Sequence, residues 1–244
     1  MTVERLVDLI VASESTVVLT GAGISTASGL PDYRSPSGLG RRHEEIAHET
    51  VLQREPELFW RYYRARFEDL ARCEPNPGHL ALAQLQAAGR VEAIVTQNVD
   101  GFHQAAGSSQ VIELHGSLAR VPSTACDHVS SPEELPDRYD ARGIVRCSHC
   151  DGNLRPGVVL FGERLSARLI QRSYNLAYDA DLLLCVGSSL QVTPAANVPV
   201  MAQRGGTAVA IINQGLTGFG ATDLTIDADA SVLLPAIAKR VLAR

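Results

Sequence analysis

Four short runs in this chain carry side chains able to do chemistry. Gln97, Asn98 and Asp100 cluster within Thr96-Gln-Asn-Val-Asp100. Such short polar side chains at a strand end can hold a ligand by hydrogen bonds, although the same residues also make an ordinary Asx turn. His115 stands between Glu113-Leu114 and Gly116. Its imidazole titrates near neutrality and can take a proton from a hydroxyl without a metal, while a lone histidine is as readily structural. Gly21-Ala22-Gly23 suits close backbone approach to a pyrophosphate, with a following helix adding its dipole, or simply a tight turn in a core. A dinucleotide fingerprint would place a third glycine at Thr26, and no acidic residue for the ribose is identifiable. Cys147 and Cys150 form a CxxC pair, with Cys126 upstream. Three thiolates can hold Zn²⁺ if a fourth ligand comes from His128, His149 or water; a metal-free module is the alternative.

These runs need elements that bring them together. Short β-rich stretches over Thr16–Thr20, Ala93–Thr96, Val111–Glu113, Leu182–Val186 and Ala208–Ile212 each end at a glycine or polar turn. Helical patterns lie between them, as at 78–88 and 166–177. Such alternation predicts an α/β fold with a Rossmann-like parallel sheet and helices on both faces. Ligand groups on such sheets gather at the carboxyl ends of the strands. The polar runs fall there: Gly21-Ala22-Gly23, then Gln97 to Asp100, then Gly187-Ser188-Ser189, then Asn213-Gln214. Residues 36–73 and 119–155 break the alternation. They read as a helical insert and a zinc-ribbon-like insert, forming a small module on a main domain of 1–35, 74–118 and 156–244.

The chain has 244 residues, is 45% hydrophobic and carries a net charge of −5, with scattered arginines. That balance argues against a nucleic-acid footprint, and no apolar run approaches the ~18 residues of a membrane span. The first residues read as an amphipathic helix and not as a signal peptide, which places the expectation in the cytoplasm. The five cysteines do not suggest a disulfide framework, and Cys73 and Cys185 read as packing residues.

The glycine loop through Arg34, the Thr96–Asp100 run and the Glu113-Leu-His-Gly116 run occur in one order that resembles the sirtuin family of NAD-dependent protein-lysine deacylases, from about residue 6 to 242. The resemblance implies that Gly21, Ala22, Gly23, Tyr33, Arg34, Gln97, Asn98, Asp100, Gly187, Ser188, Ser189, Asn213, Gln214 and Ala230 bind NAD. Within that set, Ala22 and Tyr33 would line the nicotinamide side, Asn98 and Asp100 would grip its carboxamide, and Asn213 would reach the adenosine ribose. His115 would be the general base. The acyl-lysine oxygen would attack the nicotinamide ribose, and the acyl group would leave on ADP-ribose. Tyr33 replaces the family's more usual phenylalanine.

The same resemblance places the acyl-lysine peptide between 158–163 and 189–192, as an added β-strand. Its contacts would include Val159, Phe161, Gly162, Glu163, Leu190 and Val192. A helix over 56–70 puts Tyr63 and Arg66 on one face, where from the helix alone Arg66 reads as a snorkelling side chain. Tyr63-x-x-Arg66 with Ala47 nevertheless matches the sirtuins that prefer succinyl-, malonyl- or glutaryl-lysine. The metal set would be Cys126, Cys147 and Cys150, with Ser123 where the family has its first cysteine. Mono-ADP-ribosyl transfer and a non-catalytic NAD-responsive module are the alternatives. Product analysis separates the first, and the presence of Asn98, Asp100 and His115 counts against the second.

Overall fold

The computed structural model describes residues 2–32, 39–220 and 222–244. Tyr33 and Arg34, expected at the cofactor, lie outside the described residues. Among the described residues there are eight strands: β1 (Thr16–Thr20), β2 (Ala93–Thr96), β3 (Val111–Glu113), β4 (Val121–Pro122), β5 (Val129–Ser130), β6 (Leu182–Val186), β7 (Ala208–Ile212) and β8 (Leu224–Ile226). Six form one sheet in the order β3-β2-β1-β6-β7-β8, all parallel. Strand β8 is an addition to the expected set. Its three residues sit among Asp and Thr and carry little apolar signal.

Strands β1 and β6 are buried along all five positions, so their sequences read as continuous apolar runs. Alternate residues serve opposite faces. Val18, Leu184 and Ala210 pack on helices α1 (Thr2–Ala12), α5 (Pro77–Ala87) and α9 (Ala230–Val241). Val17, Leu183, Cys185 and Val209 pack on α7 (Ala167–Asp179) and α8 (Val198–Gly205). The sheet order reverses at β1, which puts the topological switch point at the carboxyl ends of β1 and β6.

A third core stands apart from the sheet. It joins α4 (Pro56–Leu70), through Phe59, Trp60, Tyr63 and Phe67, to Val121, Leu135, Val145, Cys147 and Leu154. Short helices α2 (Gly40–Ile46) and α3 (Glu49–Arg54) precede α4, α6 (Phe102–Ala105) follows β2, and β4 pairs antiparallel with β5. Both inserts named from the sequence contribute to this core, as do Leu118, Val158 and Leu160 from the segments that join it to the sheet.

Candidate active site

The loops after β1 and β6 meet backbone to backbone. Gly21 N–H donates to Val186 at 3.0 Å and Gly23 N–H to Gly187 at 2.8 Å. A Cβ at Gly23 would stand 2.8 Å from the Gly187 carbonyl oxygen, and one at Gly187, whose φ is +60°, would stand 2.3 Å from Ile24 N. The glycines are therefore consumed by loop-to-loop contact as well as by a ligand's approach. The helix expected after this loop is two single 3₁₀ turns, Ala22–Ile24 and Thr26–Ser28. One turn aligns too few peptide units for a useful macrodipole, so any anion held here relies on individual N–H groups.

The strand-end polar groups form one network around Ser25, a residue to which the sequence analysis assigns no role. Asn98 donates from Nδ2 to the Gly21 carbonyl at 3.2 Å and to Ser25 Oγ at 3.1 Å. Ser25 Oγ donates to Asp100 Oδ2 at 2.8 Å. His79 Nδ1 accepts from Asn76 N–H at 3.3 Å, so its proton is on Nε2, 3.3 Å from Ser25 Oγ. Ser25 thus gives its one proton to Asp100 and accepts from two sides. Burial pushes His79 down to about 4, which keeps the ring neutral at pH 7. Burial also raises the Asp100 carboxyl, against bonds from Phe102 N–H and Ser25. The Asx turn weighed from sequence is real, since Asp100 Oδ1 accepts from Phe102 N–H at 3.0 Å. His79 is hard to see in advance, because Asn-Pro-Gly-His reads as a helix start and its imidazole does complete a capping box.

His115 Nδ1 lies 3.0 Å from the Gln97 carbonyl. A carbonyl only accepts, so Nδ1 carries the proton and Nε2 keeps its lone pair. Burial lowers the His115 pKa, with the Gln97 bond opposing. The neutral, Nε2-basic ring is the form a general base needs. Gly116 permits this placement: its φ is +77°, and a Cβ would stand 2.2 Å from the Gly157 carbonyl oxygen. Gln97 reaches across the crevice to Ser188 Oγ at 2.8 Å.

A single cavity of about 970 Å³ gathers nearly all the expected groups. Gly21, Ala22 and Gly23 line it beside Gln97 and Asn98. Gly187, Ser188 and Ser189 continue its wall toward Asn213, Gln214 and Ala230. His115 lines the same cavity, as do Ala47, Tyr63, Arg66 and Val159. Asp100 instead lines a small adjoining pocket together with Ser25, Asn98 and Arg66. Ala47 and Tyr63 are buried, and Arg66 is half-buried with no ion pair among the described residues.

Residues 21–194 match the model of the Sir2 family. The chain belongs to the Sir2 family. An NAD-dependent protein deacetylase 1 from Geobacillus kaustophilus is 49% identical over 205 residues, 83% of this chain and 82% of the relative. An NAD-dependent protein deacylase 2 from Pyrobaculum aerophilum is 41% identical, covering 98% of this chain and 96% of its own. Among solved structures, a Sir2–p53 peptide–NAD+ complex superposes with a TM-score of 0.88 at 34% identity, covering 100% of this chain and 98% of that one.

Glu163 lines the cavity, where Arg155 grips it bidentately at 2.6 and 2.8 Å and its Oε2 also accepts from Leu160 N–H. Three expectations for this Sir2 chain need correction. Leu190 is buried in the α7/α8 core at φ +53° and does not line the cavity. The flanking runs are not ladder strands. In 158–163, Phe161 exchanges bonds with Ala47 and Glu49, and in 189–192 the Ser189 carbonyl accepts from Gly218 N–H. The helix after the glycine loop is the third. Phe161, Gly162 and Val192 do line the cavity, Phe161 and Val192 as exposed apolar groups.

The Sγ atoms of Cys126, Cys147 and Cys150 lie within 4.8 Å of one another, and Cys126 and Cys147 are 3.7 Å apart. Zinc–thiolate bonds of about 2.3 Å in a tetrahedron set sulfurs ~3.8 Å apart, so the cluster fits a zinc-binding module. When bound there, zinc would supply cross-linking of the chain and no reaction step. No helix among the described residues is long and apolar enough to cross a membrane.

Proposed function

We propose that this Sir2-family enzyme is an NAD-dependent protein-lysine deacylase that favours succinyl, malonyl or glutaryl groups and also removes acetyl. One observation carries the acyl preference. Arg66 and Tyr63 line the same cavity as His115, and Arg66 has no carboxylate partner among the described residues. A guanidinium on the wall of a half-enclosed cavity matches a carboxylate-tipped acyl chain through two parallel hydrogen bonds. Ala47, buried and lining that cavity, leaves room for the longer chain.

In this reading NAD is the co-substrate and accepts the acyl group on its ADP-ribose. Asn98 and Asp100, held by Ser25, take the carboxamide. The walls formed by Gly187, Ser188, Ser189, Asn213, Gln214 and Ala230 take the phosphates and adenosine ribose. His115 Nε2 withdraws a proton from a ribose hydroxyl, with Gln97 fixing its tautomer. The acylated lysine enters beside Val159, Phe161, Gly162 and Val192, and Glu163 shapes that entrance through Arg155. We further assign 36–73 and 119–155 to a small module with its own core, and place the enzyme in the cytoplasm.

The test is a panel of one peptide carrying acetyl-, malonyl-, succinyl- or glutaryl-lysine, followed for nicotinamide and O-acyl-ADP-ribose. Faster release of the acidic groups supports the reading. Acetyl release at equal or higher kcat/KM removes the acyl preference. ADP-ribosylated protein without O-acyl-ADP-ribose would favour mono-ADP-ribosyl transfer instead.

A further inference from the structure

The three-thiol cluster has a fourth corner, and the structure shows which side chain stands there. Ser123 Oγ lies 3.5 Å from Cys150 Sγ and accepts from Ala125 N–H at 3.2 Å. Backbone bonds hold Ser123 in place: its N–H donates to the His128 carbonyl at 2.9 Å, Thr124 N–H donates to Asn153, and Ser123 bridges Leu154. Gly152 allows the approach, since a Cβ there would stand 2.7 Å from the Ala125 Cβ and 3.2 Å from Cys150 Sγ.

The two nearby histidines are placed otherwise. No imidazole nitrogen among the described residues lies within 4.8 Å of all three sulfurs, because the cluster contains the cysteines alone. His128 stacks on His149 with ring centroids 3.9 Å apart, and its Nε2 is 3.1 Å from Ser130 Oγ. Both rings would have to unstack and swing to reach the metal position.

Exposure divides the cluster. Cys147 is buried in the third core with Tyr63 and Ala47, while Cys150 is exposed and Ser123 half-exposed. The metal position therefore has a closed side at Cys147 and an open side at Cys150 and Ser123. A neutral hydroxyl is a far weaker zinc ligand than a thiolate, and water can replace it from solvent.

We propose that Ser123 marks the fourth coordination position of a three-thiolate zinc site, an oxygen position open to solvent that makes the metal exchangeable. Occupancy would then follow the free zinc concentration, unlike a closed four-thiolate site, and its loss would loosen the core that Cys147 shares with Tyr63 and Ala47.

The test uses the full chain loaded with one equivalent of Co²⁺, whose sulfur charge-transfer intensity scales with the number of thiolates, and then with Zn²⁺ in competition with a chromophoric chelator. Native protein and Ser123→Ala should both show three-thiolate intensity. Ser123→Cys should rise by about a third and bind zinc tighter by about a hundredfold, the share of one strong ligand in a structural site. His128→Ala and His149→Ala should leave spectrum and affinity unchanged. Native protein that holds no metal would overturn the proposal, as would a histidine variant that loses the metal. Unchanged intensity and affinity in Ser123→Cys would overturn it as well, with Ser123→Ala and the native chain reporting whether the fold survives.

Discussion

Arg66→Met is the sharpest probe of the acyl preference, because methionine keeps much of the length and apolar contact and removes the charge. Arg66 is half-buried on the cavity wall and has no ion pair among the described residues. Its loss therefore strands no buried carboxylate, and the cost to folding is small. Facing an acyl carboxylate, the guanidinium makes charge-assisted hydrogen bonds worth ~1.5–3 kcal/mol, which converts to about one to two powers of ten. Water reaching a half-buried group places the expectation toward the lower end. The assay is kcat/KM on the same peptide bearing succinyl- or acetyl-lysine at saturating NAD. Desuccinylation should fall about 10-fold or more while deacetylation changes little. Tyr63→Phe should move the ratio the same way by about 2- to 10-fold, for the loss of one hydroxyl bond. A general loss of stability lowers both activities together, so the ratio isolates the charge. Equal losses on both substrates would make Arg66 a scaffold residue and end the acidic-acyl reading.

His115→Ala should lower deacylation by about 10²–10⁴-fold, the usual contribution of a positioned base, with NAD affinity measured calorimetrically nearly unchanged; near-normal turnover would remove His115 from proton transfer. Stability should also fall in acid. Burial holds His79 at about 4 and His103 at about 3, against 6.5 for an exposed ring. Between those values the unfolded chain binds protons that the folded chain refuses, so stability is lost as pH drops below about 6.5. The gap for His79 alone is worth roughly 3 kcal/mol by pH 4, with Asp100, raised by burial, working the other way. Urea midpoints at pH 7 and pH 4.5 measure this, and equal midpoints would refute the assignment of neutral buried rings.

Why both rings are neutral follows from their surroundings. Thr20 Oγ1 donates to Thr96 Oγ1 at 2.8 Å, so it accepts from His103 Nε2 at 2.9 Å. His103 Nδ1 is left buried with no partner, and the His79 and His103 rings stand 5.1 Å apart. A proton on either ring would bring a charge into a buried region, next to a second ring that could also charge.

The sheet was legible because its central strands are buried on both faces. Val17 to Thr20 and Leu182 to Val186 therefore had to be continuous apolar runs, and such runs are visible in a sequence. Helix α4 was equally plain, since Pro56 starts it and aromatic residues repeat along one side. Strand β8 and the short 3₁₀ turns after Gly21 were not visible, because three residues hold no period.

By itself, the sequence determined which groups are present and at which strand ends they sit. The periodicity of burial assigns Gly21, Asn98, His115 and Gly187 to the carboxyl edge of one parallel sheet, and the residue types limit what they can bind. Tertiary structure alone decided their chemistry. The His115 base nitrogen is chosen by a carbonyl 18 positions away, and Ser25 becomes a hub because His79 arrives from 54 positions along the chain. Glu163 is fixed on the cavity wall because Arg155 reaches it. Hydrogen-bond direction and ion pairing act over about 3 Å in space, and one-dimensional spacing records no such distance between segments that meet only when the chain is folded.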